Sequence, residues 1–401
     1  LTPIERQQAN SSLSGSRFLS RTGIWSLIAV LLFSLADGAL LWALPRLRIS
    51  FATGPEMLPP LVASLLLRLS LLCGLQVARL IVRARGSTRD ALVVRRQSAD
   101  AGAQAQLSPA LLLFLATNLA FTGMQIDAYV VEPLSVRITE LSLSFDSLDP
   151  RAPPVHVVHL TDLHIERNSY REASVLRKVN ALQPDIVVLT GDYLNLSRLS
   201  DPTSAAHFRQ FVAQLDAPYG IYAVRGTVEP SIESMARLVQ GTQVNWLEQE
   251  SVTIDVRGQQ IALVGVACSH QPDLDTARMD QAFAQVSEGP TRLETSFKLL
   301  LYHSPDLIAE AADRQIDLYL SGHTHGGQIR LPIFGPLATG SRYGRRYVAG
   351  LYQAPSDPAS TEERGDTWMY NSRGLGLEGG GMPRARFLCP PEIVSIELGG
   401  H

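Results

Sequence analysis

Between Val155 and Asp192 the chain twice runs a short apolar stretch into groups that bind metal ions. Val155–Leu160 (VHVVHL) leads to Asp162 and His164, and Asp185–Thr190 leads through a glycine to Asp192. Carboxylate oxygen beside imidazole, aimed at one point from two neighbouring strands, is a donor set for a divalent metal. The plainer alternative for this stretch alone is two capping carboxylates and a packed histidine. Farther along, Phe297–Tyr302 ends at His303, and Asp317–Leu320 runs into Ser-Gly-His-Thr-His-Gly-Gly-Gln, which carries His323 and His325. A single histidine so placed reads as structural. Six ligand-type residues at successive strand ends read as a site.

The elements needed to position them follow from the pattern. Runs this short, rich in Val, Ile and Leu, are expected as buried parallel strands. Tyr170–Leu182 between the first two carries Val175, Leu176 and Val179 at helical spacing, so the unit is β-α-β. Open α/β sheets place their sites at the carboxyl ends of such strands. An entering strand is expected over Val136–Phe145, a helix over Thr203–Leu215, and a strand over Gly220–Val224 that ends in Arg225–Glu229. A helix to Val239 follows, then a hairpin of Val252–Val256 and Ile261–Val266 about Arg257–Gly258. Beyond it come helices at Asp273–Val286 and Pro305–Ala312, and a tail of short strands. Ala354–Asp366 reads as a solvated, disordered loop.

Taken together, Asp-x-His at Asp162–His164, Gly-Asp at Gly191–Asp192, the lone His303 and Gly-His-x-His at Gly322–His325 resemble the calcineurin-like metallophosphoesterases. The resemblance spans Val136–Leu398. It is nearer to the membrane-associated or exported bacterial members, through Ser341–Arg346, Ser372–Gly376 and Cys389–Ile393. It implies an α/β fold, a four-layer α/β/β/α sandwich with two divalent metals (Mn, Fe, Zn or similar) at the strand ends. One metal would take Asp162, His164, Asp192 and His325; the second would share Asp192 and add His303 and His323. Asp162, Asp192 and His323 would be catalytic; separately, guanidinium matches phosphate geometry, and of the candidate arginines Arg373 is the one expected to grip substrate. The chain departs from the family's Gly-Asn-His-Glu: it reads Gly226, Thr227, Val228, Glu229. Thr227 replaces an amide carbonyl ligand, and Val228 replaces a histidine that protonates the leaving group or steadies the transition state. Valine donates no proton, so a weaker second metal and slower turnover are expected.

Ahead of this domain lies a different kind of sequence. Gly23–Leu44, Leu58–Val82 and Ser108–Ile126 are apolar and long enough to cross a bilayer. The expected division is a membrane region of about three helices over 1–130, an all-α transmembrane anchor, and a phosphoesterase domain over 131–401. Asp37 is the one charge of the first span and Arg68 interrupts the second; each alone is costly there, so the two are expected to pair. Arg83, Arg85, Arg89, Arg95 and Arg96 lie between spans two and three, and Arg6, Arg17 and Arg21 precede the first, against Arg46 and Arg48 in the first loop. Positive-inside then puts the domain outside the cytoplasm. The polar N-terminal segment is expected to be disordered or juxtamembrane. The sequence opens at Leu1 rather than methionine, so the natural start is expected to be differently placed or initiated.

With 35 basic against 38 acidic residues there is no basic footprint for nucleic acid. Three scattered cysteines, Cys73, Cys268 and Cys389, give neither a disulfide framework nor a zinc-ribbon spacing. The function expected is hydrolysis of a phosphate mono- or diester, lipid or cell-envelope derived, at the membrane surface. The alternative is a pseudoenzyme or phosphate-ligand sensor on the same fold, favoured by Thr227 and Val228. His270, Arg225, Arg342, Arg345 and Arg346 read as surface groups, with His270 able to reach the site from its loop. At least one of His156 and His159 reads as a packed histidine.

Overall fold

The computed structural model describes residues 21–90, 109–287, 296–355, 363–378 and 383–401. The expectations for the N-terminal segment, for Arg95 and Arg96, and for most of the Ala354–Asp366 loop lie outside the described residues. The chain divides into two compact units: residues up to Ala43 with Gly54–Ile126, and Leu44–Thr53 with Asp127–His401.

The first unit is three helices, α1 (Arg21–Ala43), α2 (Gly54–Asp90) and α3 (Pro109–Ile126). All three are long and apolar enough to cross a membrane. Leucines and tryptophans line their outer faces, among them Trp25, Leu31, Leu32, Leu66 and Leu113, all exposed. Charge sits inside instead. Arg68 is fully buried and grips Asp37 with two nitrogens, Nε to Oδ2 at 2.9 Å and Nη2 to Oδ1 at 2.8 Å. It also donates to Asn118 Oδ1 (2.9 Å) and Thr122 Oγ1 (2.8 Å) on α3 and stacks near Phe33 and Phe121. The expected Asp37–Arg68 pair is therefore present, and it draws in the third helix. The α2 helix runs on to Asp90, so Arg83, Arg85 and Arg89 belong to a helical segment rather than a loop.

In the second unit the strands are β1 (Arg137–Phe145), β2 (Val155–Leu160), β3 (Ile186–Leu189), β4 (Ile221–Ala223), β5 (Val244–Trp246), β6 (Gln249–Val256) and β7 (Gln259–Val266). They continue as β8 (Phe297–Tyr302), β9 (Leu318–Ser321), β10 (Arg330–Leu331), β11 (Gly335–Pro336), β12 (Gly350–Pro355), β13 (Glu363–Asn371) and β14 (Glu392–Gly400). One six-stranded sheet has the order β1-β14-β2-β3-β4-β5 and the other β12-β13-β9-β8-β7-β6. β2 to β5 pair in parallel, as do β7, β8, β9 and β13. Parallel strands buried on both faces need helices outside, and the chain supplies them. Helices α4 (Tyr170–Leu182), α5 (Pro202–Val212) and α6 (Ile232–Val239) cover the first sheet; α7 (Pro272–Ser287) and α8 (Ile308–Asp313) cover the second.

Side-chain alternation sorts the residues into layers. Val155 and Val157 face the second sheet, meeting Leu263, Leu299, Leu301 and Leu320 between the sheets. Val158 and Leu160 face the helices, against Val175, Val179 and Phe208. The layers are α/β/β/α, and the helix and strand positions follow the sequence expectation within a few residues. The α4 start is fixed by a capping box, Ser169 with Glu172. His159 is the packed histidine: it is buried, with Nε2 2.7 Å from Thr190 Oγ1. His156 is half-buried against Ser395.

Candidate metal centre

The carboxyl ends of β2, β3, β4, β8 and β9 meet at one end of the two sheets, and each delivers its polar residues there. The backbone bends sharply to do this. Asp162, His164, Asp192, His323 and His325 all adopt positive φ, between 43° and 69°. Such angles are uncommon for residues other than glycine and gather at functional sites when the surroundings enforce them. The enforcement is visible at Gly191 (φ 95°), where a Cβ would lie 2.5 Å from Gly226 Cα and 2.9 Å from His303 Nδ1. Only glycine lets the β3 and β4 loops close this tightly.

The six residues singled out by sequence come together. Asp162, His164 and His325 form one group of donor atoms and Asp192, His303 and His323 another, the atoms of each lying within 4.8 Å of one another. His164 Nε2 and His325 Nε2 are 3.1 Å apart, and Asp192 Oδ2 lies 3.9 Å from His164 Nε2 and 3.1 Å from His303 Nε2. Asp192 thus stands between the groups. Its Oδ1 accepts from the backbone N–H groups of Thr227 (2.8 Å) and Val228 (2.9 Å), and the Thr227 hydroxyl is 3.3 Å from both of its oxygens. Asp162 accepts from the His323 N–H at 3.1 Å.

The chemistry of the donors fits a divalent cation. His303 Nδ1 lies 2.6 Å from the Thr190 carbonyl, which assigns the proton to Nδ1 and turns the Nε2 lone pair toward the carboxylates. Nε2 itself is buried and faces Asp192 Oδ2 at 3.1 Å. Without a cation, charge must balance by protonation. Burial opposes a charge on His303, but Asp192 outweighs it and raises the imidazole to about 10. Burial alone would raise Asp192; the neighbouring His303 instead holds it well below the usual carboxylate range. Burial, followed by the His303 charge, lowers His323 to about 4. A divalent ion would satisfy the same charge deficit and take over the lone pairs.

Two features were not legible in the sequence. Glu378 approaches His164 Nε2 at 3.1 Å and groups with His164 and Asp192. Burial would raise this carboxyl, but His164 and His325 bring it down to about 2. It follows the glycine-rich Ser372–Gly376 segment, where no periodicity marks a ligand. That segment is held by Arg386, fully buried, which donates to the carbonyls of Arg373, Gly374, Gly376 and Cys389. It packs against the ligands so closely that a Cβ on Gly374 would lie 2.6 Å from Asp162 Cβ. Nearby, Arg373 pairs with Glu392 at 2.7 Å, Arg225 with Glu248 at 2.7 Å, and Arg342 with Glu310 at 2.8 Å. His270 is exposed, and its ring stands 5.0 Å from that of His323.

Comparison with known proteins agrees with this geometry. Residues 155–327 match the family model for calcineurin-like phosphoesterase. The chain is 27% identical over 282 residues to the uncharacterized metallophosphoesterase YkuE of Bacillus subtilis, covering 68% of this chain and 88% of that protein. It is 29% identical over 263 residues to the phosphodiesterase YaeI of Escherichia coli, covering 62% and 83%. It is 25% identical over 320 residues to the UDP-2,3-diacylglucosamine pyrophosphatase LpxG of Chlamydia trachomatis, covering 66% and 89%. With a four-layer fold and clustered carboxylate and imidazole donors already in place, the chain carries a calcineurin-like phosphoesterase domain over residues 155–327 and is similar to metallophosphoesterases beyond it.

Proposed function

We propose that the protein hydrolyses a phosphate mono- or diester at a membrane surface through a dinuclear metal centre. Asp162, His164, Asp192 and His325 would hold one divalent ion; Asp192, His303 and His323 would hold the other, with Thr227 beside it. The observation that carries this reading is the placement of Asp192 between two donor groups, beside a His303 whose tautomer is fixed for coordination. Divalent ions there supply Lewis acidity toward phosphoryl oxygens and a water acidified to neutral pH.

The chain's own residues do the positioning. Amides of Thr227 and Val228 orient Asp192, and the Asp162 carboxylate orients the His323 backbone. Asp162, Asp192 and His323 are the residues assigned nearest the chemistry. Arg373 is assigned to substrate phosphate; it is partly exposed and adjoins Gly326. Val228 has no proton to give a leaving group, and the exposed imidazole of His270 beside His323 is positioned for that task.

The three apolar helices support action at a bilayer, with 1–130 as membrane region and 131–401 as catalytic domain. The arginine distribution supports an extracytoplasmic domain. Similarity to a relative named for a diacylglucosamine pyrophosphatase supports a lipid or cell-envelope phosphate ester as substrate class. Hydrolysis of a nitrophenyl phosphodiester by the full chain tests the activity. Turnover should be lost on chelation, return with Mn, Fe or Zn, and be absent in Asp162→Ala. A chain that holds metal yet hydrolyses no ester would establish the sensor alternative.

A further inference from the structure

The short β10–β11 hairpin that follows the Gly-His-Thr-His segment is built in a way the metal centre does not require. Its turn, Pro332-Ile333-Phe334, presents apolar side chains to solvent: Ile333 is fully exposed, Phe334 70% and Leu337 57% exposed. Ile333 also has φ 71°, and the Phe334 N–H closes on the Pro332 carbonyl at 2.8 Å. This is a γ-turn of the strained, positive-φ kind, with a β-branched residue at its centre. Apolar exposure and backbone strain both disfavour the domain as it stands. Both are held at one tip, and such strain persists where function uses it.

The hairpin packs against the site at its base. Pro336 packs on Gly327, where a Cβ would lie 2.2 Å from Pro336 Cβ, and a Cβ on Gly340 would lie 3.0 Å from His323 Nε2. The base of the hairpin therefore adjoins the metal centre. Its own stretch of chain is basic: Ile329–Tyr347 contains Arg330, Arg342, Arg345 and Arg346 and no Asp or Glu, with Arg342 paired to Glu310. Arg345 is exposed and donates to the Phe334 carbonyl at 2.8 Å, so its charge lies directly behind the apolar tip. At the hairpin's base, Ile329 bridges to Phe387, and the neighbouring Leu388 and Arg386 amides bond Glu132 and the Ala128 carbonyl. In the chain, Ala128 lies two residues beyond the end of α3.

We propose that this hairpin is a membrane-docking element: Ile333, Phe334 and Leu337 enter the interface of a bilayer, and Arg345 with its basic neighbours meets anionic head groups. An apolar tip backed by arginine is the composition that binds such interfaces, where apolar burial and charge attraction add. Docking would set the mouth of the metal centre against the head-group layer. The proposal rests on the membrane-surface part of the function above and not on hydrolysis itself.

The full chain, reconstituted in vesicles, tests this without turnover. An environment-sensitive dye is placed at Ile333→Cys in a Cys73→Ala background; Cys268 and Cys389 are buried and stay. In phosphatidylcholine–phosphatidylglycerol vesicles the dye should shift to the blue and lose most of its emission to nitroxide-labelled lipids. The quenching should weaken in pure phosphatidylcholine and with Arg345→Glu, and a dye at Glu250→Cys should stay unquenched. Phe334→Cys repeats the test if the first variant does not fold, as judged by metal content. A water-like, unquenched dye at both positions would overturn the proposal. So would a blue shift that grows with protein density and resists lipid quenching, which would mark a second copy of the chain as the occupant.

Discussion

At residue scale, positions 227 and 228 show how backbone and side chain divide the work. The amides of Thr227 and Val228 grip Asp192 whatever their side chains are, so the second donor group keeps its shape. On the proposed dinuclear reading, the side chains would leave out an amide carbonyl for the second metal and a proton donor for the leaving group. General acid catalysis is typically worth about 10²–10⁴ in rate. Thr227→Asn with Val228→His should therefore raise occupancy of the second ion and speed an alkyl phosphodiester more than a nitrophenyl one. Equal acceleration of both esters would refute the acid's absence as the cause. If the parent is already fast on the alkyl ester, His270→Ala should abolish that advantage. His159 gives a pH signature of its own. Burial holds it at about 4, against 6.5 as its ordinary value. The unfolded chain thus binds the extra proton between those values, and stability is full above about pH 6.5 and falls as pH drops toward 4. The loss amounts to about 3 kcal/mol at 1.36 kcal/mol per pH unit. Urea denaturation of His159→Gln across this window should show a flatter acid limb than the parent. The six ligand candidates were legible because each closes a strand. Glu378 was not, since its place depends on Arg386 pinning a glycine-rich loop some distance along the chain.

At the scale of elements, the strands that carry ligands were legible because both of their faces are buried and read as unbroken apolar runs. Phe297–Tyr302 fell where the sequence placed it. The end of α2 did not: the sequence pattern stops at Val82, where apolar residues give way to arginines, while the helix continues to Asp90. Hydropathy marks the part that suits lipid, and backbone hydrogen bonds carry the helix beyond it. The hairpin after Gln328 falls within the expected tail of short strands, but its exposed apolar tip was not anticipated, because Ile333 and Phe334 have the composition of a core segment. Between α1 and α2, Arg68 has its charge matched by Asp37 and its remaining donors taken up on α3. Removing one member of a buried pair typically costs about 3–5 kcal/mol, because the other is left uncompensated. Arg68→Leu should lower the detergent melting temperature or the inserted fraction of the chain. Adding Asp37→Leu should recover much of the loss, less a remainder for the Asn118 and Thr122 bonds. Simple additivity of the two substitutions would rule out the coupling.

At the scale of the whole molecule, two parallel-rich sheets bring the carboxyl ends of five ligand-bearing or ligand-orienting strands to one place, which is why a site could be anticipated before any contact was known. Topology across the bilayer depends on the count of spans. Three spans with the N-terminus inside place His401 outside the cytoplasm. A reporter active only after export, fused at His401, should be active, and one active only in the cytoplasm silent; the reverse pattern would overturn the orientation. We propose that the two donor groups hold two metal ions and that hydrolysis needs both. The most direct measurement titrates metal into the stripped full-length protein, reading bound metal per chain and nitrophenyl phosphodiester hydrolysis on the same samples. Two ions per chain are expected, with hydrolysis appearing as the second site fills, and one ion with little hydrolysis in His303→Ala. Full activity with a single bound ion, unaltered by His303→Ala, would contradict it.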